Sequence, residues 1–213
     1  MNPIGILGGT FDPVHHGHLR LAIEMRDALG LSSVKLVPAP NPRLRDRPST
    51  PPSIRLRMLE AVVEDDGELE VDDREIHREG PTCSVETLRS FRDEFVDTPL
   101  CLLVGADAFC RFDQWREWEE LPDLAHIAVA GRPGVTLPDA GPVAELMRER
   151  VTTDPERLRT RPAGYVIVCD IPALDISGTR IRALLDAGRS VRYLVPDSVI
   201  HLIREERNIT HDT

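Results

Sequence analysis

The stretch from Ile4 to Leu19 constrains this chain more than any other. Ile4, Ile6 and Leu7 form a short apolar run, the pattern of a buried strand. Gly8 and Gly9 end it at once, and there the backbone can approach a ligand with no side chain between. Thr10 and Phe11 follow, and His15 and His18 then flank Gly17 just before an amphipathic run. A strand, a glycine turn and a helix N-terminus in that order make a place to hold phosphate. The turn is neither the dinucleotide fingerprint, which needs Gly-x-Gly-x-x-Gly, nor a P-loop, which needs Gly-Lys-Ser/Thr. Three residues apart at a helix start, His15 and His18 can present both imidazoles to one side. The same pair could begin a metal site, but no third ligand stands at a suitable spacing. His16, between them, is expected to face away.

Strand and helix patterns alternate along the rest of the chain. Leu19, Leu21, Ala22, Met25, Ala28 and Leu29 recur at helical spacing, and Gly30 stops that helix. Strands are expected at 34–38, 69–71 (with Ile76 as its extension), 100–104, 127–130 and 165–169. Helices are expected from Ser53 as a cap through Val63, from Ser84 as a cap through Phe95, over 114–121, around 144–147, and in the C-terminal part from Ser177 onward. The span 152–162 reads as surface connection. Leu100-Cys101-Leu102-Leu103-Val104 is the most continuous apolar strand, as in a parallel sheet buried on both faces. Short loops and alternating elements give an α/β fold, a doubly wound parallel sheet, in a single domain over 1–213. Ligands in such sheets sit beyond the carboxyl ends of the strands. The Gly8–His18 loop, Gly105–Asp107, Gly131–Arg132 and the loop up to Ser177 should therefore converge.

A second phosphate-binding pattern stands near the other end. Ser177, Thr179 and Arg182 cluster where a helix begins, so hydroxyls, free backbone N–H groups and a guanidinium can meet anionic oxygens there. The bland alternative is an N-cap beside an exposed arginine. Two such helix starts on one parallel sheet suit a triphosphate lying between them. The Pro40–Pro48 stretch carries Arg43, Arg45 and Arg47. It is either a polar linker or a loop that brings guanidinium groups to the nucleotide.

Composition narrows the partners. The net charge of −10 disfavours non-specific nucleic-acid binding. Lys35 is the only lysine, so almost all positive charge is arginine, the side chain suited to bidentate phosphate contacts. Cys83, Cys101, Cys110 and Cys169 contain no Cys-x-x-Cys pair, which points to neither zinc nor a disulfide framework. No signal segment opens the chain and no apolar run is long enough to span a bilayer, so a cytoplasmic setting without membrane contact is expected. Oligomeric state is left open, a homo-oligomer included.

These motifs carry a family resemblance. The segment Gly8 to His18 resembles the signature loop of the HxGH nucleotidyltransferases, and Ile176-Ser177-Gly178-Thr179-Arg180-Ile181-Arg182 resembles their ISSTxIR motif. Gly80 to Leu88, Gly105-Ala106-Asp107-Ala108, Trp115-x-x-Trp118-Glu119-Glu120-Leu121 and Arg132-Pro133-Gly134 are similar to the bacterial nicotinate-nucleotide adenylyltransferases in particular. The resemblance implies a Rossmann-like fold and transfer of the adenylyl group of ATP to nicotinate mononucleotide, giving deamido-NAD and pyrophosphate in NAD biosynthesis. It implies that His15 and His18 stabilise the transition state. Gly8, Gly9, Thr10, Phe11, Ser177, Thr179 and Arg182 would complete the ATP site. By family position Ser84 would serve the nicotinate carboxylate, Asp107 the ribose, and Arg45 and Arg132 phosphate; Trp115 is the candidate to stack on the pyridine ring, and Trp118, a tryptophan at helical spacing, is expected in the core. Magnesium (Mg2+) would be held through the phosphates of ATP, with no protein ligand. Arg45 stands where lysine is common, preceded by Leu44 where histidine is common. Cys83 replaces a tyrosine, and Ser177-Gly178 replaces Ser-Ser. The competing readings are an adenylyltransferase for nicotinamide mononucleotide or another phosphate acceptor, and a nucleotide-binding module without catalysis.

Overall fold

A computed structural model describes residues 1–41, 48–64, 66–132, 134–172 and 174–211, the last five without their side chains. Seven strands are present in chain order: β1 (Ile4–Gly9), β2 (Ser33–Pro38), β3 (Leu69–Val71), β4 (Leu100–Gly105), β5 (His126–Ala130), β6 (Val151–Thr152) and β7 (Val166–Cys169). They form one sheet of order β3-β2-β1-β4-β5-β7-β6, and every pairing is parallel. The chain runs outward from β1 through β2 to β3, then returns to the other side of β1 as β4. That reversal opens a crevice at the carboxyl ends of β1 and β4, where open α/β sheets bind ligands.

Helices α1 (His16–Leu29), α2 (Pro52–Val63), α3 (Ser84–Glu94), α4 (Ala106–Phe109), α5 (Leu121–Leu124), α6 (Pro142–Arg150), α7 (Gly178–Asp186) and α8 (Asp197–His211) cover the sheet. Alternate strand residues feed two separate cores. Cys101, Leu103 and Ala128 pack with Ala22 and Met25 of α1, Met58 and Leu59 of α2, Ile181 of α7 and Val199 of α8. Leu100, Leu102, Val104, Ile127 and Val129 pack with Val85, Leu88 and Phe91 of α3 and with Val143 and Leu146 of α6. The period of two along a strand places one set on each face, so the expected doubly wound sheet is what forms.

Local differences from the sequence reading have physical causes. Helix α1 ends at Gly30 in the left-handed conformation, φ 60°, as its C-cap pattern requires. Helix α2 starts at Pro52 with Pro51 in the cap position, so Ser53 is not its cap; proline lacks only an N–H that the first turn leaves unused. Likewise Cys83 holds the cap position of α3, and Ser84 is its first helical residue. Strand β3 stops at Val71, and Ile76 lies half-buried in a turn. Residues 114–121 do not form one helix: short 3-10 turns at Phe112–Gln114 and Trp118–Glu120 are separated by Glu117 in the left-handed region. The 152–162 span is less superficial than its polarity implies, because Thr152 joins edge strand β6 and Leu158 is fully buried.

Two groups fasten the amino end of the sheet. The Arg92 guanidinium donates to the carbonyls of Phe95, Val96, Thr98, Leu124 and Pro162. The His126 imidazole, completely buried, has Nε2 3.1 Å from the Leu158 carbonyl and 3.0 Å from the Arg161 carbonyl, while its Nδ1 accepts the Tyr165 N–H at 3.0 Å. Only the neutral ring with its proton on Nε2 meets all three partners, since a proton on Nδ1 would face another donor. Burial lowers the His126 pKa from 6.5 to about 4. Burial likewise lowers that of His15 to about 4. The unfolded chain therefore protonates first as pH falls through 6.5, and stability present above that pH drains away toward pH 4. By about pH 5 each histidine should remove about 2 kcal/mol relative to pH 7. Urea unfolding at both pH values should show this loss, with about half of it gone in His126→Gln; an unchanged loss in that variant would contradict the assignment.

Candidate active site

The site begins where β1 ends. Gly9 accepts the Ala39 N–H at 2.9 Å, which registers the glycine turn against the segment leaving β2. Thr10 follows half-buried, and Phe11 turns inward at φ 49° with its ring fully buried. A Cβ on Gly9 would lie 2.9 Å from the Phe11 ring, so the turn closes tightly only around glycine. Asp12 is buried as well, and its Oδ2 accepts the Ser49 N–H at 2.8 Å and the Ser49 hydroxyl at 3.1 Å.

His15 occupies the cap position of α1 in extended conformation, and the helix starts at His16. The imidazoles of His15 and His18 stack with centroids 3.7 Å apart, and the Phe11 ring meets His18 edge-on at 4.9 Å. The expected common side for the two rings is therefore observed. Half-buried His16 donates its N–H to the Leu194 carbonyl, holding this end of α1 against the C-terminal segment. Burial lowers the pKa of His15 to about 4, so its ring is neutral at physiological pH. Two stacked rings at 3.7 Å are more easily kept together when they are not both cations.

The second phosphate pattern arrives beside the first. Ser177 caps α7, its Oγ accepting the Arg180 N–H at 3.3 Å. Arg182 donates from Nη1 to the Asp12 carbonyl at 2.6 Å and from Nη2 to Thr179 Oγ1 at 3.4 Å. A Cβ on Gly178 would lie 2.8 Å from the Asp12 carbonyl oxygen, and one on Gly17 would lie 3.0 Å from His15 Nδ1 and 3.3 Å from the Ile176 carbonyl. Glycine at 178, where the family motif carries serine, thus fits a close approach between two loops. The helix N-termini of α1 and α7 meet at one place, and Ser177 and Thr179 remain exposed there.

The residues expected to serve the second nucleotide stand at α3, at the carboxyl ends of β4 and β5, and in the segment between them. Ser84 opens α3, whose first turn has no side-chain cap. Trp115 is half-buried, with its ring 5.2 Å from that of Phe112. Trp118 is half-buried too and packs against the edge of the second core, 6.2 Å from Phe112. Ion pairs fix this segment to α3: Arg89 engages Glu117 and Glu120, and Arg116 engages Glu86 and Glu117. Asp107, in the first turn of α4, and Arg132, after β5, pair with each other at 2.8 Å, and Arg132 also reaches Asp175 at 2.5 Å. Thus Arg132 joins the ends of two strands to the loop before α7. Arg45 lies outside the described residues, as do Leu44 and Pro133.

Sequence reading passed over Arg55, Ser49 and Asp175. Arg55 gave a signal: it occupies the position of α2 that the buried residues Met58 and Leu59 extend at i+3 and i+4. Ser49 and Asp175 act through contacts that no local pattern encodes.

A Cytidylyltransferase-like family model matches residues 6–184. The "Probable nicotinate-nucleotide adenylyltransferase" of Marinobacter nauticus is 48% identical over 200 residues, covering 93% of each chain. That of Methylococcus capsulatus is 45% identical over 204 residues, covering 95% of this chain and 97% of the relative. Among solved structures, the Plasmodium falciparum nicotinic acid mononucleotide adenylyltransferase complexed with NaAD shares the fold, with a TM-score of 0.72 at 18% identity over 97% of this chain and 96% of its own. The signature loop, the α7 motif and the elements between them therefore carry a full-length kinship, and this chain belongs to the nicotinate-nucleotide adenylyltransferases.

Proposed function

We infer that this chain transfers the adenylyl group of ATP to nicotinate mononucleotide, forming deamido-NAD and releasing pyrophosphate, a step of NAD biosynthesis. The observation that carries the site assignment is the junction of two helix N-termini, α1 and α7, through Arg182 and the Asp12 carbonyl. An oxygen of the mononucleotide's phosphate attacks the α-phosphorus of ATP in line. The bond from that phosphorus to the bridging oxygen breaks, and pyrophosphate leaves with the electron pair. The attacking group is already an anion, so the chain needs neither a general base nor a covalent intermediate. Its work is alignment and stabilisation of charge that builds on the α-phosphate and the leaving group.

His15 and His18, as a stacked pair, supply donors to the phosphates; Gly8, Gly9, Thr10 and Phe11 shape the turn beneath them. Ser177, Thr179 and the remaining N–H groups of Arg182 hold the outer phosphates. Across the crevice Trp115 stacks on the pyridine ring. The N-terminus of α3 at Ser84, which has no side-chain cap, favours a carboxylate over an amide through its unused N–H groups and partial positive charge. Asp107 serves the ribose, and Arg132, held between Asp107 and Asp175, and Arg45 serve phosphate. Imidazole nitrogens suit phosphate contacts and are poor magnesium ligands, since magnesium takes oxygen. Magnesium thus arrives as part of the ATP substrate, on its phosphate oxygens. The whole chain acts as one nucleotidyltransferase domain. No helix of the described residues is long and apolar enough to cross a membrane.

Pyrophosphate release from ATP should be fast with nicotinate mononucleotide and at least tenfold slower with the nicotinamide form, because only the first brings a carboxylate to α3. In the same assay His18→Ala should lower kcat by about a hundredfold or more while the melting temperature stays close to wild type. Equal rates with both mononucleotides would refute the substrate assignment, and near-normal turnover in His18→Ala would reduce that ring to a structural role. Separately, proton NMR should find His15 titrating near pH 4 in the free protein. Bound triphosphate favours the imidazolium, so magnesium–ATP should raise that value by about a unit or more. A His15 titration unmoved by ATP would place its ring away from the phosphates.

A further inference from the structure

Helix α2 turns Met58 and Leu59 into the core, and the next position along that stripe toward its N-terminus is Arg55. The side chain is 0% exposed. Among the described residues its hydrogen bonds go to four backbone carbonyls and to no carboxylate. Nε donates to Thr50 O at 3.1 Å, Nη1 to Ala39 O at 2.9 Å and also to Thr10 O, and Nη2 to Pro40 O at 3.2 Å. Burial of a guanidinium is costly, and a well-packed apolar side chain usually serves simple stability as well or better. What an apolar residue cannot do is fix four carbonyls from three segments in one plane.

Those segments belong to different halves of the site. Thr10 closes the glycine turn assigned to the ATP half. Pro40 leaves β2 and leads to Asn41, whose carbonyl accepts the Thr82 N–H at 3.3 Å, two residues before Ser84. Thr50 follows Ser49, which holds the Asp12 carboxylate, and the Asp12 carbonyl in turn holds Arg182. One rigid fork therefore stands between the elements of the ATP half and those of the mononucleotide half. We propose that Arg55 is a positioning residue that sets the separation of the two half-sites, and so the in-line distance between acceptor phosphate and α-phosphorus. The proposal rests on the assignment of those halves given above. Misplacement by about 1 Å can cost about a hundredfold in rate without loss of either partner's binding.

The test compares wild type, Arg55→Met and Arg55→Lys. Each is measured for melting temperature, kcat, and calorimetric affinity for ATP alone, nicotinate mononucleotide alone and deamido-NAD, which spans both halves. In Arg55→Met kcat should fall about a hundredfold and deamido-NAD should bind about tenfold or more weakly, with each single nucleotide within about threefold of wild type. Lysine keeps the charge but not the fork, so Arg55→Lys should lie between; if Arg55→Met melts below the assay temperature, Arg55→Lys is read by the same criteria. A lower melting temperature with unchanged kcat and product affinity would overturn the proposal, leaving Arg55 a scaffold residue. Equal weakening of ATP alone and product would overturn it too, by confining Arg55 to one half. A wild type that releases no pyrophosphate from ATP and nicotinate mononucleotide would refute the assignment of the halves, and the proposal with it.

Discussion

The hydrogen bond from Arg182 to the carbonyl of Asp12 joins residues 170 positions apart, and the rest of the site depends on it. It forms because β1 lies inside the sheet between β2 and β4, with its carboxyl end open toward the start of α7. Gly178 permits the approach, since a side chain there would meet the same carbonyl. Each helix N-terminus alone offers only a weak, partial positive charge. Brought together with a guanidinium between them, they suit the several charges of a triphosphate. The Asp12 carboxylate, tied to Ser49, extends this junction to the segment before α2, and Arg55 extends it to the segment after β2.

The histidines show how electrostatics and function part company. Burial lowers both His15 and His126 to about 4, so a shifted pKa alone would rank them alike. Their surroundings separate them. His126 has every ring nitrogen satisfied by backbone at the amino end of the sheet. Buried His15 has no hydrogen-bond partner for Nδ1 within the described chain and stacks on His18 at the crevice. One ring completes a loop anchor; the other is held ready for a partner from outside.

Much of this was legible in the sequence because it is local or periodic. The strand–glycine–helix pattern of Ile4–Leu19, the Ser177–Arg182 helix start and the unbroken apolar run of β4 each follow from neighbouring residues. Parallel winding followed from their alternation. Contacts at a distance were not legible. The pairing of Arg132 with Asp107 and Asp175 depends on how β4, β5 and the loop before α7 line up. The 114–121 segment keeps helical spacing in its apolar residues, yet Glu117 at φ 52° breaks it, and ion pairs to α3 set its path instead. Arg55 was masked by its charge: an arginine in an amphipathic helix is ordinarily a surface residue, and its place on the Met58–Leu59 stripe was the one hint that it turns inward.

The most direct test of the two-loop site is a crystal structure with a non-hydrolysable ATP analogue and magnesium. The expected result has one triphosphate within hydrogen-bond distance of the His15–His18 pair and, at its other end, of Ser177, Thr179 or Arg182, with the Arg182–Asp12 contact retained. A triphosphate touching only one of these loops, or lying away from both, would contradict the account.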